Sequence, residues 1–298
     1  SCGSDILFAF VMRPFLTPGE NNEVMMPIPS YAHNFAVPPL IGGVCIEVPT
    51  YEEDGYDLRI EEFEKRVTPR TRIVIITNPN NPTATVYKRE TLERLAGFVK
   101  RHNLIMVGDQ AFEDTAFDGH EMVNIAALPG MQERTILLGS LSKGMALCGF
   151  RVAYVVAPDA ISRMLQSCAV LFLGAPNTMA QAGAVAALKD SAFVEGYRQE
   201  YMARAEILGE ILSTVPHITF RKPEGGFFFW INTSWYGTDE EVVAYLAKEA
   251  NVLVSAGSMC NDPNCIRLIY GALKDRAACI DAVKRIKAAL EKHPRNMA

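Results

Sequence analysis

The stretch from residue 71 to residue 109 leaves the chain few folds to adopt. Arg72-Ile-Val-Ile-Ile-Thr77 is a β-branched run that reads as a buried strand. Residues 91–102 then place Leu92, Leu95, Ala96 and Val99 on one face of a helix. Leu104-Ile-Met-Val107 begins the next strand, with Asp109 just past it, and no hairpin turn intervenes. Strand, helix and strand in that order imply a right-handed crossover and parallel pairing. An α/β fold with a large, mostly parallel sheet flanked by helices follows. With 298 residues, 49% of them hydrophobic, the chain can build that sheet and a second, smaller unit.

Further strands are expected over residues 23–27, 43–48, 135–140 and 152–157. Gly3-Ser4-Asp5 reads as a turn opening a helix over residues 6–12, buried nearly all round. A short surface helix is expected over 58–67. Helices follow from Pro158 onwards, with Ile161, Met164, Leu165 and Cys168 on one face, and over 177–188 and 198–212, the last bridging two lobes. The pattern then changes. Strands are expected over 218–221, 226–231, 252–254 and 266–269, with helices over 240–250 and 276–290. This reads as a smaller C-terminal α+β domain over 191–298, beside a large domain over 1–190.

A formal net charge of -5 gives no support for a nucleic-acid surface. No apolar run approaches the ~18 residues of a membrane span. The seven cysteines are scattered without a C-x-x-C pair, so reduced and mostly buried thiols in a cytoplasmic protein are expected. The five histidines show no metal-ligand spacing. No G-x-G-x-x-G follows an early strand, which excludes a nicotinamide-binding Rossmann domain.

The expected strand tips carry reactive side chains. Tyr31 follows the first. Asn78-Pro-Asn-Asn-Pro-Thr83 follows the third, and its prolines hold the carboxamides rigidly by stopping the strand. Asp109 stands at the next tip, where a buried carboxylate needs a cationic partner. Ser140-Leu-Ser-Lys143 follows, with Arg151 eight residues on. Desolvation at a strand tip favours a neutral, nucleophilic amine. Arginine offers a phosphate a planar fork of donors, and the amides of a helix opening at Gly3-Ser4 attract anions. Arg267, between Ile266 and Leu268, faces away from both and could bind a carboxylate. Each residue alone also has a plain reading: a packed tyrosine, a turn, a helix cap, a surface loop, an exposed strand arginine. Ligands of open α/β sheets bind at the carboxyl ends of the strands. An aromatic ring, an amide, a carboxylate and an amine gathered there suit a flat, anionic, aldehyde-bearing heteroaromatic ligand.

Five segments carry a resemblance: Asn78-Pro-Asn-Asn-Pro-Thr83, Asp109-Gln-Ala-Phe112, Ser140-Leu-Ser-Lys143, Gly149-Phe-Arg-Val-Ala-Tyr154 and Cys265-Ile-Arg-Leu268. In order and approximate spacing they resemble the class I/II aminotransferases, pyridoxal 5'-phosphate (PLP) enzymes of fold type I, and the likeness spans essentially the whole chain. It implies a Schiff base on Lys143, Asp109 paired with the pyridinium nitrogen, Asn81 on the ring 3-oxygen and Tyr31 stacked on the ring. It implies a phosphate held by Gly3, Ser4, Ser140 and Arg151, with Asp5, Phe112 and Ser142 also in the cofactor site. Lys143, Asp109 and Tyr31 would be the catalytic set, and Asn81 and Arg267 would take the substrate. The implied reaction is a two-stage amino exchange between an L-amino acid and a 2-oxo acid in a cytoplasmic homodimer, with no metal. A PLP-dependent lyase, decarboxylase or synthase, or a non-catalytic PLP-binding module, could share the same constellation.

The sequence departs from the family at Phe112, where a tyrosine is usual, at Ala84 for glycine, and at Gln110 for glutamate. Family members also carry a longer segment ahead of the Gly3-Ser4 loop. It supplies an arm, part of the small lobe and a phosphate contact across the dimer, and the given sequence is expected to lack it.

Overall fold

The computed structural model describes residues 1–297. β1 (Glu23–Ile28), β2 (Val44–Pro49), β3 (Thr71–Thr77), β4 (Ile105–Asp109), β5 (Thr135–Ser140) and β6 (Ala153–Val156) form one sheet in the order β2-β1-β3-β4-β5-β6. All neighbours pair in parallel except β5 and β6, which run antiparallel. The inner strands β1, β3, β4 and β5 are covered on both faces, which is why they are apolar along most of their length rather than alternating, while the edge strands β2 and β6 are partly exposed. Val74, Ile76, Met106 and Leu137 face α3 (Ile60–Glu64) and α4 (Arg89–Arg101) in one apolar cluster. Ile73, Ile75, Val107, Ile136 and Leu138 face α1 (Asp5–Met12) in another.

The helix α2 (Ala32–Leu40) follows β1, and α5 (Asp159–Phe172) and α6 (Thr178–Lys189) follow β6. The 21-residue α7 (Ala192–Leu212) begins earlier than the apolar pattern suggested. Beyond it lies an antiparallel sheet of β7 (Thr219–Phe220), β8 (Phe228–Asn232), β9 (Ser255–Ala256) and β10 (Cys265–Ile269), in the order β7-β8-β10-β9. It packs on α7, α8 (Asp239–Glu249) and α9 (Arg276–Glu291) through Leu208, Leu212, Phe229, Leu246, Ile266 and Ile286.

Three expectations are corrected. Residues 252–254 are not a strand: Leu253 is 81% exposed, and pairing with β10 begins only at Ser255 and Ala256, opposite Arg267 and Ile266. The branched Val252 and Val254 instead anchor an extended connection by packing into the C-terminal core. The first helix is one-sided: Leu7, Phe8, Val11 and Met12 are buried while Ile6 is 44% exposed. All seven cysteines are free thiols, but only Cys260, Cys265 and Cys279 are buried. No helix among the described residues is long and apolar enough to cross a membrane.

Candidate active site

The parallel register sets the floor of the site. Thr77 pairs with Asp109 across β3 and β4, and Asp109 lies opposite Leu138 of β5, so three strands end together. Beyond these ends, the first turn of α1 and one edge of β10 complete a cavity of about 250 Å³. Tyr31, Asn81, Asp109, Phe112, Ser142, Lys143, Arg151 and Arg267 all line it, together with Ser4 and Asp5. Gly3 and Ser140 do not line it. Ser140 is buried behind the loop, where its hydroxyl accepts the Ser142 amide at 3.3 Å. Gly3 lies beneath the Arg151 guanidinium: a Cβ there would sit 2.1 Å from Nη2, and its φ of +99° also favours glycine. Arg151 itself is left-handed, at φ 54°.

Asp109 is 3% exposed. Its Oδ2 accepts the Thr77 hydroxyl at 3.2 Å and its Oδ1 accepts the Ala111 amide at 3.1 Å. Both donors are neutral, so among the described residues this carboxylate has no ion-pair partner at hydrogen-bond distance. Burial therefore dominates and pushes its pKa up to about 6, against the lowering effect of those hydrogen bonds and of the Lys143 charge. A second layer holds the arrangement: Asn34 Nδ2 donates to Thr77 at 3.2 Å and to the Ser30 hydroxyl at 2.8 Å.

Tyr31 stands at the head of α2, and its hydroxyl donates to Asp5 Oδ1 at 2.9 Å. Burial, then the Asp5 charge, raises its pKa, so the ring stays a neutral plate. Asp5 Oδ2 also faces Arg151 Nη2 at 3.6 Å. Its side chain thus braces a ring and a guanidinium, a role that residue order did not suggest. Lys143 follows β5 in the turn, its Nζ 5.9 Å from the centre of the Phe112 ring. Asn81 Oδ1 accepts Arg267 Nη1 at 2.6 Å, which turns the Asn81 Nδ2 donor away from the arginine. Ala84, standing where glycine is usual, holds φ at 60°.

The residues that sequence reasoning missed are Thr77 and Asn34, behind Asp109, and Ile269 on the cavity wall. Phe227 and Phe228 also line the cavity, while Phe229 and Trp230 pack in other cores. The aromatic run alone does not say which ring faces where. The donor set fits a flat ring with a protonated nitrogen toward Asp109 and an anionic group toward Ser4, Ser142 and Arg151. Among the described residues, no group of three or more histidine, cysteine or carboxylate side chains could hold a metal ion.

A family model described as "Aminotransferase class I and II" matches residues 2–286. A probable aspartate/prephenate aminotransferase of Aquifex aeolicus is 30% identical over 98% of this chain and 75% of its own length. The aromatic-amino-acid aminotransferase 2 of Thermococcus litoralis is 35% identical over 80% of this chain and 62% of its own. Among solved structures, an aromatic aminotransferase from Pyrococcus horikoshii superposes with a TM-score of 0.93 at 32% identity, covering 98% of this chain and 79% of that one. An aspartate aminotransferase from Thermus thermophilus with maleate gives 0.90 at 26% identity, over 97% and 75%.

Proposed function

Because this chain belongs to the class I and II aminotransferase family, we propose that it exchanges an amino group between an L-amino acid and a 2-oxo acid with PLP held at Lys143. The observation that carries this is convergence: amine, buried carboxylate, amide and guanidinium arrive from β5, β4, the β3 tip and β10 at one cavity. When bound, the cofactor supplies an electron sink that makes the α-hydrogen of an amino acid acidic.

The chain's residues do the rest. Asp109 holds a proton on the ring nitrogen, and the ion pair offsets the cost of burying its charge. Tyr31 offers the ring face, braced by Asp5. Ser4, Ser142 and Arg151 hold the phosphate, with Ser140 setting the Ser142 amide and Gly3 letting the guanidinium lie close. Arg267 takes the α-carboxylate with its planar fork, and Asn81 fixes one of its nitrogens beforehand. With the carboxylate pinned, the α-C–H bond would be oriented for Lys143 Nζ, which, free as an amine once the substrate nitrogen has taken its place, would take that proton and later return one. Phe112 has no hydroxyl, so Asn81 acts as the donor to the ring oxygen without a phenol beside it.

The proposal extends to organisation: a large PLP domain over 1–190, a small domain over 191–298, and a cytoplasmic homodimer. Free thiols at all seven cysteines support a reducing setting. An apolar surface supports the dimer, with Val170 and Leu171 of α5 and Met179 of α6 each at least 73% exposed. Borohydride reduction of the PLP-loaded protein, followed by peptide mapping, tests the central residue. The label belongs on Lys143, and a yellow band persisting in Lys143→Ala would sink the reading.

A further inference from the structure

Phe112, Phe227 and Phe228 form a closed triangle of rings in the cavity wall. Their centroids lie 5.4, 5.3 and 5.9 Å apart, each pair edge-on. Two cations border this triangle: Lys143 Nζ is 5.9 Å from the Phe112 ring centre, and the Arg267 guanidinium is 6.0 Å from that of Phe228. An amino acid whose carboxylate is on Arg267 and whose nitrogen is presented toward Lys143 must lay its α-carbon along the rings. Its side chain then meets Phe227, the half-buried member, and Ile269, which also lines the cavity from its place opposite Phe228. Phe227 is not free to swing aside. Tyr201 packs on it at 5.1 Å, and it leaves no room for a Cβ at Gly271, which would lie 2.5 Å from its ring.

The charges around the cavity point the same way. The cations that line the cavity are Lys143, Arg151 and Arg267, and each already faces the cofactor or the α-carboxylate. Among the described residues, a second carboxylate on the substrate would meet aromatic and apolar side chains with no further cation lining the cavity. We propose that Phe227, with Ile269, selects amino acids with aromatic or large apolar side chains over dicarboxylic ones. This inference rests on the transaminase reading above and deepens it.

The test uses unreactive carboxylates, so it reads binding rather than turnover. The PLP-loaded protein is titrated with 3-phenylpropionate and with succinate by calorimetry. The expected result is that 3-phenylpropionate binds at least ~10-fold tighter, the scale of a good apolar subsite. Phe227→Ala should remove most of that preference, and Phe227→Leu should keep most of it. Arg267→Gln should weaken both ligands together. Tighter succinate binding, or an unchanged ratio in Phe227→Ala, overturns the selection while leaving the carboxylate site standing. Failure of both ligands to bind, or indifference of both to Arg267→Gln, overturns the carboxylate site itself and this inference with it. The comparison within the unaltered protein needs no variant to fold.

Discussion

Replacing Asp109 by asparagine should strengthen the cofactor-free fold and cripple the loaded enzyme, and the size of the first effect follows from the burial of the carboxyl. Moving its pKa from 3.8 to about 6 means that keeping it ionised costs about 3 kcal/mol. Asparagine carries no charge and can still accept the Ala111 amide. The Thr77 hydroxyl, which already accepts from Asn34, loses its carboxylate acceptor, at about 1 kcal/mol. The net gain is about 2 kcal/mol where the acid is fully ionised. The folded-state pKa lies above the unfolded one, so the acid's favourable contribution is present below 3.8 and lost as pH rises through about 6. The advantage of Asp109→Asn therefore grows across that window, from a small deficit in acid to its full value at about pH 8. Urea unfolding of both cofactor-free proteins at about pH 4 and about pH 8 measures it. With PLP bound the sign reverses, because the carboxylate has gained the ring proton as its partner, and kcat should fall by about 100-fold or more. A variant less stable than its parent at the higher pH, or a difference that does not change with pH, refutes the reasoning.

Three other outcomes are expected. Gly3→Ala should lower PLP affinity by ~10-fold or more in a fluorescence titration, because the new methyl occupies the space of the Arg151 guanidinium and the backbone is left-handed there. Glu23, 1% exposed, is pushed up in pKa by burial but pulled down further by hydrogen bonds from Thr68, Thr71 and Arg70. Its stabilisation is present above the usual glutamate value of 4.5 and lost as pH falls through the lowered one. Glu23→Gln should cost about 2 kcal/mol in denaturant unfolding near neutral pH, and less in acid. Arg267→Lys keeps the charge but not the fork, so KM for the amino acid should rise ~10-fold or more while the PLP absorbance stays the same.

Much of the fold was legible because the central strands are apolar on both faces and punctuated by Asn-Pro units and a lysine turn. Asp109 was legible as a carboxylate at the end of an apolar strand, whereas Thr77 beside it was not, because that neighbour is set by the parallel register. Alternation turned Arg267 away from Ile266 and Leu268, both 5% exposed or less, but did not say what it would face. What stayed hidden depended on packing. The string Phe227 to Trp230 does not say which rings enter the cavity, because that choice is made by Gly271 and Tyr201 from elsewhere in the chain. Residues 252–254 had the composition of a strand, but backbone pairing with β10 starts only after them. Asp5 read as a cofactor contact, but its bracing of Tyr31 and Arg151 is set by three-dimensional neighbours.

The bond from Asn81 to Arg267 joins residues 186 apart, one at the parallel sheet and one on the antiparallel sheet. Neither sheet alone owns a complete grip on a substrate. Loosening the C-terminal portion by heat, denaturant or a nick in its connections would unhook the guanidinium while the amine and the buried acid stay aligned. Such a protein would still turn yellow with coenzyme yet no longer respond to amino acids, so colour and turnover should part company before the bulk of the chain melts.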